Sequence, residues 1–438
     1  MPSRRVLRQK EGGLKATMEE FYYKDNTLWC ENLPVSQIGK DFGTPLYIYS
    51  KNSIASHCRY IENSFGDVDH LTTYAVKANA NRTILSLIAH EGIGADIGSA
   101  GELGLALSAG FPPSLITYSG VGKRRDEIEM ALKHDILAFN VESEDEIRAI
   151  SEIAVAMGKT ARILLRVNLD IEANTHPYIT TGRKHNKFGI EYTRTVEVLN
   201  MAQSLKGIRV SGIHMHIGSQ IIQTETFIKA AQEVTKLVKD LKNAEIQIEQ
   251  LNFGGGFGVT YRDFVQHPAL KLEGEYSESH VTVSRFIEAI VPILRQTRCK
   301  ILIQPGRSII AHAGILLTEI LYIKHKSGKT FAIVDAGMND FMRPTLYQSY
   351  HQIAPAQVRD GIPMVVDIVG PLCESGDFFA LERVTPQLKT GDHVAIMCTG
   401  AYGYVLSSNY NGRPRPAEVL VSGDNAEIIR KRETIDQL

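Results

Sequence analysis

The 438-residue chain has no excess of either charge. Its 48 Lys and Arg against 49 Asp and Glu leave a net charge of −1 and a pI near 6.9, so it lacks the electrostatic footprint of a nucleic-acid binder. Cysteine is scarce: Cys30, Cys58, Cys299, Cys373 and Cys398 are an odd number with no CxxC pair. That argues against a disulfide framework and a thiolate metal site, and it fits a reducing, cytoplasmic setting. No apolar run approaches the length of a membrane span. The opening MPSRRVLRQKEGG is basic and has no apolar h-region, so it is not a secretory signal; residues 1–16 read as a frayed tail. Nothing resembling GxGxxG follows the first strand. What is present is an ordinary globular composition, 43% hydrophobic and 22% charged, with length for one large domain and a smaller one.

From residue 71 short apolar runs alternate with amphipathic stretches. The runs begin at Leu71, Ile93, Ser114, Ile136, Ala161, Val210, Ile248 and Lys300. Helical patterns lie between them, as at Asp126–His134 and Thr224–Lys242. Ser99 with Glu102 and Ser143 with Glu146 have capping-box spacing. Eight βα units predict an α/β fold, a closed parallel (β/α)8 TIM-like barrel, with its active site at the C-terminal strand ends. Lys77, Asp96, Glu142, Asn168, His216, Gly254 to Gly256 and Arg307 end these runs, and the barrel would gather them at one mouth.

After about residue 315 the runs are short, turn-bounded and helix-poor, and read as antiparallel strands of an all-β domain. The segment Glu20–Ser50 has the same character. The expected division is 17–46 joining the β-domain, 47–312 forming the barrel, and 313–438 forming the C-terminal β-domain.

Lys77, in TTYAVKANAN, stands where a buried strand ends. A lysine losing solvation there drops its pKa and attacks carbonyls as a neutral amine, as a Schiff-base lysine must. A solvated lysine capping a strand is the plainer reading. GGGFG (Gly254 to Gly258) offers a backbone nest for a phosphate, or simply a tight turn. HMHIGSQ sets His214 and His216 two apart on one strand, facing the same way. A metal would need a third ligand that is not apparent; an imidazole stacked on a planar cofactor and a satisfied core histidine are the other readings. Ser219 could donate to a phosphate. In CESGD, Cys373 lies beside two carboxylates, as in a proton-transfer loop, or is a buried structural thiol. Arg307, Arg343 and Glu374 suit a substrate carrying both carboxylate and ammonium. Tyr347 lies four residues beyond Arg343, and Tyr402 sits in GAYGY.

The ordered set YAVKAN, HIGSQ, GGGFG, PGRS, DAGMNDFMRP, CESGD and GAYGY…SSNYNGRPRPAEVL resembles the diaminopimelate decarboxylases, pyridoxal-phosphate enzymes built on an alanine-racemase-like barrel. The resemblance runs from about Phe21 to the C-terminus, and HPYITTGRKHNKFGI, from His176, also looks like this family. It implies decarboxylation of meso-2,6-diaminopimelate to L-lysine, with Lys77 as the Schiff-base lysine of pyridoxal 5′-phosphate. His216 would stack on the cofactor ring. Ser219, Gly254, Gly255, Gly256 and Tyr402 would hold its phosphate, and Asp96, Gln304, Gly306 and Arg307 would complete the cofactor set. Arg307, Arg343, Tyr347, Glu374 and Tyr402 would bind the substrate. Cys373 would act as general acid, contributed with Glu374 by the partner subunit of a homodimer with shared sites. One position departs from the pattern: Gln304 stands where the family has a glutamate facing the ring nitrogen. An amide offers only neutral hydrogen bonds, and losing a charge-assisted bond costs about 1–3 kcal/mol. Decarboxylation of another amino acid, or a cofactor-binding homologue of weak activity, are the alternatives.

Overall fold

Parallel strands covered on both faces need near-continuous apolar sequence, and the eight runs supply it. The computed structural model describes residues 20–171, 186–262, 264–270 and 282–438. The basic tail, and the His176 segment up to residue 185, lie outside the described residues.

The barrel strands are β1 (His70–Ala75), β2 (Gly94–Ile97), β3 (Ile116–Tyr118), β4 (Ala138–Val141), β5 (Ala161–Asn168), β6 (Ile208–His214), β7 (Gln250–Asn252) and β8 (Lys300–Ile303). Each pairs in parallel with the next, and β8 pairs with β1, so the sheet closes. Leu71, Ala138, Leu164 and Leu302 form a cluster inside it, with Leu115 and Leu137 packed against them. Helices alternate with strands, among them Arg125–Lys133, Glu144–Ala156 and Thr224–Asn243. Ser99 and Ser143 accept from the N–H groups of Glu102 and Glu146, each at 3.2 Å. The two glutamates reach one residue further back than a capping box requires, to Gly98 N at 2.6 Å and Glu142 N at 2.7 Å. They thereby tie each strand exit to the helix that follows.

The chain divides into two units: Cys58–Val259 with Val281–Ser308, which holds the barrel, and Met1–His57, Thr260–His280 and Ile309–Leu438. In the second unit Leu46–Ser50 pairs antiparallel with Gly314–Lys326 and parallel with Ala417–Ser422. The N-terminal segment is fastened there by buried polar bonds as well. Tyr47 and Tyr49 donate to Asp340 O (2.6 Å) and Glu418 Oε1 (2.7 Å). Glu31, buried, accepts from Ser50 Oγ, the Asn52 backbone and side chain, and Gly423 N. The sheet is mixed, not purely antiparallel: Lys329–Val334 also runs parallel to Met364–Val369. Parallel neighbours need long connections; residues 335–363 supply one, and the whole barrel lies between Leu46–Ser50 and Ala417–Ser422. Among the described residues no helix is long and apolar enough to cross a membrane.

Candidate active site

Each barrel strand leads to a polar side chain at or just beyond its C-terminal end. After β1 the chain makes a single 3₁₀ turn, Val76–Ala78, in which Val76 and Ala78 are buried and Lys77 is exposed. The turn points the lysine out of the core as expected, but the side chain has not lost its solvent. Gly306 packs under this turn: a Cβ there would lie 3.0 Å from Ala78 Cβ and 3.1 Å from Ala75 Cβ.

Asp96, from β2, is 6% exposed. Its Oδ1 accepts from Ser119 Oγ (2.6 Å), Thr117 Oγ1 (2.9 Å) and Gln304 Nε2 (2.6 Å). Burial raises its pKa, while Ser119, the Lys77 charge, Thr117 and Lys123 pull it back. The network continues around the rim. Asn140 Nδ2 donates to Ser119 Oγ (2.9 Å), and Asn252 Oδ1 accepts from Gly254 N (3.0 Å). Glu142 pairs with Arg166 at 2.8 Å, both buried. Asn168 is only half-buried and accepts from Asp170 N, capping its own turn.

β6 ends at His214, so His216 lies beyond the strand and the two rings take different partners. The ladder stops because its partner β7 ends at Asn252 and the glycine run follows. His214 Nε2 meets Gln304 Oε1 at 3.0 Å, whereas His216 Nδ1 accepts from Gly255 N at 3.2 Å. Burial, and then the Arg166 cation, hold both imidazoles well below their usual pKa; the Lys77 charge adds to this at His216. Both are therefore neutral rings at pH 7. Among the described residues no cluster of His, Cys, Asp and Glu is arranged to hold a metal.

The three glycines are dictated by close backbone approach. A Cβ at Gly254, Gly255 or Gly256 would lie 2.2 Å from the carbonyl oxygen of Met215, Gln304 or Gly218 respectively. Gly254 and Gly256 also have φ of +71° and +95°, where a side chain is strained. The N–H groups of Gly254 and Gly255 are engaged within the protein. Ser219 Oγ accepts from Arg307 Nη2 at 3.3 Å, and Arg307 is buried at the start of a short helix. A lysine amine, a guanidinium–hydroxyl pair and a glycine-lined approach beside a neutral imidazole are a donor set that fits an aldehyde-bearing aromatic phosphate.

The second unit carries the remaining candidates. Arg343 is buried, with Nε 3.4 Å from His351 Nε2 and Nη2 3.4 Å from Tyr261 OH. The Tyr261 and Tyr347 rings flank its guanidinium at 5.4 and 5.7 Å. His351 Nδ1 is bound to Met397 O at 2.8 Å, which leaves Nε2 as the acceptor facing Arg343. Cys373 is the exposed one of the five free cysteines, which removes the reading as a buried structural thiol. Of its two neighbouring carboxylates, Asp377 is buried and accepts from Met338 N and Leu372 N. Glu374 stays exposed and accepts from Tyr410 OH at 2.9 Å. Tyr402 has φ of +55°, an uncommon conformation for an aromatic residue. Sequence reasoning passed over Ser119, Asn140, Arg166, Asn252, His351 and Tyr410. A lone amide in an apolar strand, Asn140 in AFNV, was the available signal for one of them.

The family described as "Pyridoxal-dependent decarboxylase, pyridoxal binding domain" matches residues 51–311. A diaminopimelate decarboxylase of Pseudomonas aeruginosa is 43% identical over 421 residues, covering 96% of this chain and 98% of that one. One from Aquifex aeolicus is 41% identical over 416 residues, covering 95% and 96%. The crystal structure of diaminopimelate decarboxylase from Helicobacter pylori complexed with L-lysine superposes with a TM-score of 0.85 at 40% identity, covering 92% of this chain and 97% of that one. With similarity running through both units and not the barrel alone, the chain belongs to the diaminopimelate decarboxylase family of pyridoxal-dependent decarboxylases.

Proposed function

We propose that this protein decarboxylates meso-2,6-diaminopimelate to L-lysine and CO₂, the lysine-forming step of amino-acid biosynthesis, with pyridoxal 5′-phosphate as cofactor. The observation that carries the reading is the extent of the similarity: about 95% of the chain and nearly the full length of the named relatives. A shared barrel alone would support only the fold.

Lys77 would be the amine that holds the cofactor. Its place just beyond the end of the first barrel strand, on a turn held by two buried neighbours, supports that role. Neutral His216 offers its ring face, and Ser219, Gly256 and Tyr402 offer donors to the phosphate. When bound, the cofactor supplies the electron sink for the pair left behind as CO₂ departs. Arg307 and Arg343 would present guanidinium to the distal carboxylate and Glu374 would present carboxylate to the distal ammonium; Tyr347 flanks Arg343. Diamine-forming substrates have no distal carboxylate to satisfy these arginines. The partner subunit's Cys373 returns the proton to Cα in a homodimer with shared sites. The five free cysteines support a cytoplasmic setting.

The test is L-lysine formation from meso-diaminopimelate by cofactor-loaded protein, with ornithine and arginine as competitors. Lysine formation with little turnover of the competitors is expected; no lysine, or a preference for ornithine, would overturn the reading. Shared sites are tested by mixing inactive Lys77→Ala and Cys373→Ala proteins. In a two-fold dimer, random reassortment restores about a quarter of parental activity. An inactive mixture, with exchange verified, contradicts the shared site.

A further inference from the structure

Gln304 lies just beyond the last barrel strand, and its surroundings define what its amide can do. The side chain is 7% exposed. Nε2 has two hydrogens: one points to Asp96 Oδ1 at 2.6 Å and the other to Ser119 Oγ at 3.3 Å. Ser119 is itself fully used, donating to Asp96 at 2.6 Å and accepting from Asn140 Nδ2 at 2.9 Å as well as from Gln304. On the other side, Oε1 faces His214 Nε2 at 3.0 Å, and the other nitrogen of this buried ring has no hydrogen-bond partner.

These contacts fix the amide. Flipping it would put Oε1 against Asp96 Oδ1, acceptor against acceptor, and Nε2 against His214 Nε2. His214 would then have to move its proton to the unpartnered, buried Nδ1. In the observed arrangement every donor meets an acceptor. Both amide hydrogens are consumed and one of the two Oε1 lone pairs is taken by His214. The valence left open at position 304 is an oxygen lone pair, and the Asp96 carboxylate polarises the amide from its far side.

We propose that Asp96, Ser119 and His214 lock Gln304 as an acceptor for the protonated ring nitrogen of the cofactor, so that the glutamine preserves the ring's proton although it carries no charge. A protonated ring nitrogen is a donor, and an amide locked the other way would oppose it. His214 is a positioning residue, acting through Gln304. The inference rests on the functional reading above.

The test uses whole protein loaded with pyridoxal phosphate labelled with ¹⁵N in the ring, read by solid-state NMR. The parent is expected to give the resonance of a protonated pyridine nitrogen, as Gln304→Glu does. His214→Leu, which removes the donor holding Oε1, moves the resonance towards the unprotonated position, and His214→Gln, which restores a donor, brings it back. An unprotonated resonance in the parent overturns the proposal, as does a protonated one in both the parent and His214→Leu. If His214→Leu does not fold, Ser119→Ala, which releases one amide hydrogen, gives the same comparison. A parent that takes up the cofactor but makes no lysine would count against the substrate assignment while leaving the ring-nitrogen result to stand or fall by itself. A parent that takes up no cofactor would overturn both.

Discussion

Asp340, in DAGMNDFMRP, shows how far one side chain can be pushed by its position. It is 1% exposed and its carboxyl is raised to about 7, chiefly by burial. The Gly337 N–H and Arg413 pull it down, nearby Asp335 pushes it up, and Arg432 pulls it down again. The native state therefore holds a proton that the unfolded chain has released. Between the ordinary aspartate value near 4 and pH 7, stability contributed by this group falls as pH rises, by up to about 4 kcal/mol over the full window. Asp340→Asn removes that dependence. From pH 5 to pH 8 the parent's thermal midpoint is expected to fall relative to the variant's by roughly 5–10 °C, as calorimetry would measure for a unit of about 200 residues. Parallel profiles would show that Asp340 titrates normally. Gln304 belongs at this scale too. The substitution was legible in the sequence as a missing charge, but its fixed amide was not, because Asp96, Ser119 and His214 reach it from three other strand ends.

At the scale of elements, the barrel was legible because its signal is local. Each of the eight apolar runs overlaps one barrel strand, and the Ser99 and Ser143 caps sit where their spacing put them. The second unit was less legible. Strand character could be read from composition, but the parallel pairings of Leu46–Ser50 with Ala417–Ser422 and of Lys329–Val334 with Met364–Val369 come from contacts distant in sequence. His216 shows a smaller limit of the same kind. Alternation placed it on the strand with His214, yet the strand ends two residues earlier than that reading required, because the neighbouring strand gives way to Gly254. The glycine run itself was read as either nest or turn. Its structural constraint is neither alone: three carbonyl oxygens from two neighbouring strand exits lie where side chains would go.

At the scale of the whole molecule, the family assignment rests on similarity through both units, and the chemistry assigned to it converges on one residue. Lys77 leaves the first barrel strand on a turn whose neighbours are buried, its charge acts on Asp96 and His216, and the remaining roles presuppose an amine at that place. The most direct measurement is to load the protein with pyridoxal phosphate, reduce it with borohydride, and map the modified peptide by mass spectrometry, with Lys77→Ala alongside. The account predicts a single adduct on the peptide containing Lys77, absent from the variant together with lysine formation. An adduct on a different lysine, or a Lys77→Ala protein that still makes lysine at the parental rate, would contradict it.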